Sequence, residues 1–410
     1  MELLAPAGNQ EKLETVLHYG ADAVYMGISD FSLRARAENF HEEHLLQAIE
    51  YVKKINKKIY ITTNIFAHNR DLAGLKRHLE TLREIPPHAI IVADPGVFSL
   101  IKEIMPSMPV HISTQANVTN VLAVKFWQKL GATRVILARE VSLEETKEII
   151  NETNIEIEVF VHGAQCIAYS GRCYLSSFMS NRSGNTGHCA NSCRWNYTLM
   201  EEKRPGEYMP VFENDRGTFI MSSKDLCLID YLSELKKAGV HSCKIEGRMK
   251  GVNYAAGVVK VYREALDLVD QPISAEVKDR WKIELAQFSS RGFSTGMFLG
   301  PQADDAYHHD SPTIERKVGE FLGIVQNRID DHTLLIALRH NLRPGDVVLF
   351  LTTGLEYSHF TVLHILDSRG SMLEVARNAQ TVQVQFQEII PESVRVKDIM
   401  RGPELAKKIP

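Results

Sequence analysis

The sequence predicts a (β/α)8 barrel with a cysteine-rich insertion, followed by a small all-β barrel domain. Three observations predict it. Over roughly the first 270 residues, short β-rich runs alternate with amphipathic helical stretches, eight times in all. Several runs, such as AIIVAD and RVILAR, are apolar throughout, as strands buried on both faces of a parallel sheet must be. From about Glu315 the pattern changes to short alternating strands separated by turn residues.

Taken in order, the expected strand Leu3–Pro6 precedes a helix over Gln10–His18, and Ala23–Gly27 precedes Glu42–Lys54. Strands Lys58–Asn64 and Ala89–Asp94 lead into helices Leu72–Glu84 and Val97–Ile104. Val110–Gln115 and Arg134–Arg139 lead into Val121–Lys129 and Leu143–Asn151. A glycine after the helix recurs in HYGADAVY, KLGATRVI and KAGVHSCK, which suits a helix C-cap before the next strand. The seventh unit is irregular: about 60 residues separate strand Glu156–His162 from helix Leu226–Lys237. An insertion that long in a compact domain is usually functional or disordered. Strand Ser242–Glu246 and helix Asn253–Val269 complete the eight. An open doubly wound sheet is the rival architecture; its dinucleotide-binding form is weakened because no G-x-G-x-x-G follows the first strand.

The second domain is read from VGEFLGIV, HTLLIALR, DVVLFLTT, HFTVLHIL and TVQVQF, with a turn at Arg343-Pro344-Gly345-Asp346. The expected boundaries are a barrel over 1–300 with its insertion at 163–222, a polar linker over 301–314 and a β-barrel over 315–400.

The chain of 410 residues is 44% hydrophobic and 24% charged, which excludes a disordered chain, a collagen and a coiled-coil rod. A net charge of -4 argues against a nucleic-acid coat protein but leaves room for a local basic patch. No apolar run reaches the ~18 residues needed to span a bilayer. The start, MELLAPAGNQEKLE, lacks a basic stretch followed by an apolar one, so the expected location is the cytoplasm, without membrane contact.

In a (β/α)8 barrel the chemistry sits at the C-terminal ends of the strands. Those ends carry Asn64, Asp94, Gln115, Arg139, Glu140, His162, Lys244, Glu246 and Arg248, although the strand bodies are apolar. Lys244, Glu246 and Arg248 alternate on one strand and so point the same way. Two cations and a carboxylate suit an anionic or dicarboxylate substrate; the alternative is an internal ion-pair network at the barrel mouth. Arg34 and Arg36 either extend that clamp or belong to a solvated loop.

Cys166, Cys173, Cys189 and Cys193 follow the spacing C-x6-C-x15-C-x3-C, and Cys227 and Cys243 come later. In a reducing compartment, clustered thiols more often mean metal or redox chemistry than bridges. The spacing is looser than the paired C-x2-C of structural zinc and is compatible with an iron–sulfur cluster, but alone it separates neither metal from isolated reduced cysteines. From Val159 to Met200 there is no Asp or Glu. Arg172, Arg182, Arg194, His162 and His188 stand there among Tyr169, Tyr174, Phe178, Trp195 and Tyr197. Cations interleaved with aromatics can contact phosphates and stack on unpaired bases. A negatively charged cluster is a competing reason for the missing acids.

Five motifs, LLAPAGN, GADAVY, HGAQCIAYSGRCYLSS, CANSCRWNY and KIEGR, resemble the collagenase-like peptidase family U-32 over nearly the whole chain. Two further segments, RPGEYMPVFENDRGTFIMSSKDL and VKFWQKLGATRVILARE, look most like the branch that makes 5-hydroxyuridine at the wobble position of tRNA, dependent on prephenate. Other relatives hydroxylate a ribosomal RNA cytidine or the ubiquinone ring, the latter with a [4Fe-4S] cluster. The resemblance implies a cluster on Cys166, Cys173, Cys189 and Cys193, with Cys227 the alternative fourth ligand; Cys243, inside the eighth strand, reads as a buried small hydrophobe. It implies prephenate held by Arg248, Lys244 and Arg139, and Glu246, Arg248, Lys244, His162 and Gln115 as the catalytic set. Substrate contacts then fall to Arg139, Arg34, Arg36, Arg172, Arg194, Trp195 and Tyr169. The partners are tRNA and prephenate, an electron-donor protein is left open, and the C-terminal barrel is expected on the tRNA body.

The family's name also keeps a peptidase as the alternative. No H-E-x-x-H is present, and no serine triad motif is either. A cysteine peptidase built on Cys166 and His162 survives this test but leaves three clustered cysteines unexplained.

Overall fold

The computed structural model describes residues 1–28, 31–32, 42–166, 168–184, 188–194, 212–214, 217–219, 223–288, 292–300, 320–352 and 358–402. Seven strand–helix steps open the chain: β1 (Glu2–Pro6), α1 (Gln10–His18), β2 (Ala23–Met26), α2 (Glu42–Lys54), β3 (Lys58–Thr62), α3 (Leu72–Glu84), β4 (Ala89–Val92), α4 (Pro95–Ile104), β5 (Val110–Ile112), α5 (Val121–Lys129), β6 (Arg134–Ile136), α6 (Leu143–Glu152) and β7 (Glu156–Ala164) with α7 (Leu175–Ser180). A hairpin of β8 (Phe212–Asn214) and β9 (Gly217–Phe219) follows, then β10 (Asp225–Cys227), α8 (Leu232–Ala238), β11 (Ser242–Ile245), α9 (Val252–Asp267), α10 (Ala275–Ala286) and β12 (Phe293–Ser294). Strands β1 to β7 pair in sequence, all parallel, and β11 pairs with both β1 and β7, closing an eight-stranded barrel. No helix among the described residues is long and apolar enough to cross a membrane.

The eight expected strands begin within one residue of where they form; four end two or three residues early, because the polar residues at their ends leave the ladder, while β7 runs two residues longer. Two elements differ more. The helix expected over Leu226–Lys237 begins only at Leu232; Leu226 and Cys227 instead belong to β10, antiparallel to the overhanging end of β7. Leu228 also donates its N–H to the Val161 carbonyl at 2.9 Å, so strand pairing takes the backbone that helix periodicity claimed. Helix α10 was not foreseen because its apolar residues make no clear stripe: only Trp281, Leu285 and Glu284 are buried.

The C-terminal unit is a closed antiparallel barrel of β13 (Phe321–Arg328), β14 (Thr333–Leu338), β15 (Val347–Leu351), β16 (His359–Leu366), β17 (Thr381–Phe386) and β18 (Ile399–Arg401), in the order β13-β14-β17-β16-β15-β18. The five alternating runs supply the first five strands. The sixth, three residues long, closes the sheet and removes its edges. Phe350, Phe360 and Phe386 meet edge to face at its centre, 5.4 to 6.0 Å apart. The unit docks on α1, α9 and α10. Tyr19 donates its hydroxyl to the Leu351 carbonyl and accepts the Ile399 N–H, and Arg401 reaches Glu284 at 2.9 Å. The expected linker lies outside the described residues.

Charge runs through the first barrel's interior. Arg134 on β6 pairs with Glu2 of β1 at 2.6 Å and with Glu158 of β7 at 2.9 Å. Glu158, fully shut off from solvent, also accepts from Lys244 of β11 at 3.0 Å. Burial opposes ionisation of Glu2, but Arg134, Tyr60 and Lys58 together outweigh it and hold the carboxyl below its usual range. Its stabilisation is therefore present above the ordinary carboxylate value and is lost as the pH falls through the lowered one. Replacing Arg134 by Met leaves Glu158 with Lys244 and Glu2 with Lys58 and Tyr60, so two largely buried carboxylates share too little positive charge. Urea denaturation is expected to show a loss of about 3–5 kcal/mol at neutral pH.

Candidate active site

The C-terminal strand ends surround an open pocket of about 480 Å3. Its wall is built from Tyr25 of β2, Thr62 of β3 and Phe160 of β7, with Asn64, Ser113, Thr114, Gln115, Arg139, Glu246 and Arg248 from the loops that follow strands and Lys244 from β11. Six of the nine strand-end residues singled out from the sequence meet here: Asn64, Gln115, Arg139, Lys244, Glu246 and Arg248.

Each cation is preset differently. Lys244 is buried, bonded to Glu158, with its ammonium 4.4 Å from the Tyr25 ring centroid. Arg248 is buried and donates to the Thr62 hydroxyl at 3.0 Å and to Ser32. Thr62 in turn donates to the Met26 carbonyl, which fixes the acceptor. Arg139 stacks 4.0 Å from the Phe160 centroid and stands 3.9 Å from Glu246, an ion pair too long to be a hydrogen bond. The Arg139 guanidinium thus keeps donors for a ligand. The balance of charge suits a small anion, and bidentate arginines suit carboxylates. Asn64 reaches the Ser113 hydroxyl at 3.3 Å, which tethers one pocket amide.

The other three strand-end residues do different work. Asp94 caps α4 by accepting the Val97 N–H at 3.0 Å. Glu140 accepts the Ser170 N–H at 2.9 Å and so anchors the cysteine segment. His162 turns away from the pocket. The pairing of β7 with β11 slips by one residue between Lys244 and Ile245, and this bulge re-aims His162 outward. The ring is buried among Tyr254, Tyr262 and Phe293, 3.4 Å from the Tyr262 hydroxyl. Burial pulls its pKa down to about 4.

The cysteine segment lies against the pocket rim. Gly171 has φ +74°, and a Cβ there would stand 2.1 Å from the Gln115 carbonyl. Gly163, at φ +109°, would meet the Glu246 carbonyl at 2.3 Å. Only glycine permits both approaches. Cys166 is exposed, and Cys173, Cys189 and Cys193 are half-buried; all are free thiols. Soft thiolates in one acid-free segment are the right donors for an iron–sulfur cluster. Their arrangement is not: among the described residues no three Cys, His, Asp or Glu side chains gather as metal ligands. Cys227, on β10, has its thiol pushed up to about 11 by burial, which suits a thiolate ligand poorly. Buried Cys243 is pushed up to about 12 for the same reason. Arg172 and Tyr169 are exposed. Arg34, Arg36 and Trp195, and the Arg194 side chain, lie outside the described residues.

Residues 8–307 match the family described as Peptidase family U32, and residues 319–401 match the Peptidase family U32 C-terminal domain. The chain belongs to peptidase family U32. Within U32 it is similar to tRNA hydroxylation protein P1 of Bacillus subtilis (strain 168), 40% identical over 380 residues that cover 92% of this chain and 89% of that one. It is 38% identical over 421 residues to tRNA hydroxylation protein P of Escherichia coli (strain K12), covering 92% and 91%. It is also 36% identical over 320 residues to the Collagenase of Porphyromonas gingivalis (strain ATCC BAA-308 / W83), covering 75% of each.

Inspection of strand ends alone missed Tyr25, Thr62, Ser113, Thr114 and Phe160 of this U32 pocket, which are too common in apolar strands and turns to stand out. Glu158 did leave a signal, a carboxylate at an inward position within a run, 157–161, that is otherwise apolar. His162 gives a pH test. It is neutral when folded and has an ordinary value near 6.5 when unfolded, so the unfolded chain binds the extra proton. Stability is expected to be full above about pH 6.5 and to fall as the pH drops toward 4, by on the order of 3 kcal/mol from this group. In His162→Phe, denaturation midpoints across that window should fall less steeply than in the parent.

Proposed function

We propose that this U32 chain hydroxylates RNA, forming 5-hydroxyuridine at the wobble uridine of tRNA with prephenate as co-substrate. The observation that carries the reading is the pocket: three cations, one carboxylate and flanking amides at the C-terminal mouth of a barrel, in a chain about 40% identical to a tRNA hydroxylation protein. Prephenate is a dicarboxylate. Arg139 and Arg248 would each grip one carboxylate, Lys244 would supply positive potential from the floor, and Gln115 and Asn64 would bond the remaining oxygens. Glu246 stands 3.9 Å from Arg139 and, among the described residues lining the pocket, is the one carboxylate placed to move a proton. Exchanging hydrogen for hydroxyl at uridine C5 is a two-electron oxidation and needs an oxygen source. The chain's own residues would bind and orient the two substrates; the oxygen atom and the two-electron oxidant must be supplied from outside the residues described.

The peptidase reading has the family name and the collagenase relative behind it. The pocket weighs against it, because no cysteine or histidine lines its wall among the described residues, and a cysteine peptidase needs that pair in reach. In tRNA from a strain lacking this gene, nucleoside analysis should show 5-hydroxyuridine and its derivatives lost. The wild-type gene should restore them and Arg139→Ala should not. Unchanged nucleosides in the deletion would overturn the proposal.

The four cysteines are the proposed seat of a [4Fe-4S] cluster, supported by their free thiols and shared segment. Binding would require the segment to contract, so metal uptake and local folding are coupled. Anaerobically purified protein should contain about four irons and four sulfides per chain. Cys173→Ala should lose them with an unaltered far-ultraviolet spectrum of the barrel. Colourless, metal-free protein would remove the cluster from the account.

A further inference from the structure

The cysteine segment carries an exposed aromatic stripe that neither the pocket nor the thiols explain. Tyr174 is 73% exposed and Phe178 is 78% exposed. Phe178 donates its N–H to the Tyr174 carbonyl at 3.0 Å, so the two rings sit one helical turn apart on one face of α7. Tyr169, 57% exposed, precedes them on the same segment. Large aromatics left in water at this level mark an interaction surface rather than a core.

The stripe is held firmly from beneath. Ser176 of α7 is buried, donates to the Arg182 carbonyl at 2.6 Å and accepts the Ala190 N–H at 2.9 Å. Upstream, Ser170 and Gly171 clip the segment to the pocket. Ser170 gives its N–H to Glu140 and takes the Arg139 N–H at 3.3 Å, and Gly171 packs on the Gln115 carbonyl. Tyr174 thus follows three residues after a clip onto two pocket-wall residues. A partner lying on the stripe lies beside the pocket mouth.

We propose that Tyr174 and Phe178 form a stacking platform for unpaired RNA bases that flank the nucleotide presented to the pocket. The proposal rests on the RNA reading above and extends it to a surface. Charge selects this partner: from Val159 to Met200 no carboxylate is present to repel a phosphate backbone, and exposed Arg172 stands beside the platform. Flat aromatic faces stack on any base, so they suit a single-stranded loop and not a duplex, whose bases are already stacked. The exposed stripe of Leu122, Phe126 and Leu130 on α5 lacks this character, because it is mostly aliphatic and lies beside the Lys125–Glu152 pair.

Fluorescence anisotropy of the anaerobically purified full chain with a labelled anticodon stem-loop, and with a fully paired hairpin of the same length, tests it. Tyr174→Ala and Phe178→Ala are each expected to weaken stem-loop binding by about 5- to 150-fold, as loss of one base–aromatic stack does. Phe178→Trp should retain binding, the paired hairpin should be bound weakly by all variants, and a Leu122→Ala/Phe126→Ala control should bind like the parent. These side chains are exposed, so far-ultraviolet spectra should not change. If the parent binds the stem-loop and the Tyr174→Ala/Phe178→Ala variant binds it equally well, the platform is wrong while the RNA reading stands. If the parent binds neither RNA, the RNA reading fails first and the platform falls with it.

Discussion

A carboxylate with no access to water, Glu158, lies between Arg134 and Lys244 inside the barrel, and the rest of the site depends on how it is neutralised. Three charges in that space cost several kcal/mol each to desolvate, and their mutual attraction returns about as much. Their value is in placement. Arg134 ties β1, β6 and β7 together from within. Glu158 fixes Lys244 against Tyr25 at the pocket floor. With Lys244 paired below and Arg248 fixed against Thr62 and Ser32, Arg139 keeps donors that face the pocket. The same interaction that closes the barrel interior also sets the charge of its mouth.

The cysteine segment is the second constraint. It leaves β7 after a bulge, returns across the pocket rim on Ser170 and Gly171, and then presents α7. Two glycines with positive φ, Gly163 and Gly171, bring the segment's backbone against Glu246 and Gln115 at the lip, while no cysteine lines the pocket wall among the described residues.

The barrel was legible because its strands are apolar on both faces and its glycines punctuate the helices. KIEGR was legible as a polar strand end, and the structure does bring Lys244, Glu246 and Arg248 to one pocket. Other features depended on events that a period cannot show. A one-residue slip beside Ile245 turns His162 out of the barrel, although strict alternation would point it in. Strand β10 took residues from a helical pattern because the overhanging end of β7 offered it a partner. The three-residue β18 is too short to carry an alternation signal, yet it closes the second barrel. The four thiols were legible as a group, but the folded chain leaves them ungathered.

Family U32 carries relatives with both peptidase and hydroxylation names, and the proposed reading for this chain rests on the pocket chemistry. Arg139 and Arg248, with no cysteine or histidine on the pocket wall among the described residues, are the basis for the proposed anion site. Titration calorimetry of prephenate against phenylpyruvate, a related monocarboxylate, tests that claim most directly. The account predicts that prephenate binds the tighter of the two, and that Arg139→Ala or Arg248→Met weakens it by about 10- to 150-fold, the loss expected for one charged hydrogen-bonded contact. Equal affinity for the two acids, or prephenate binding indifferent to both substitutions, would contradict it.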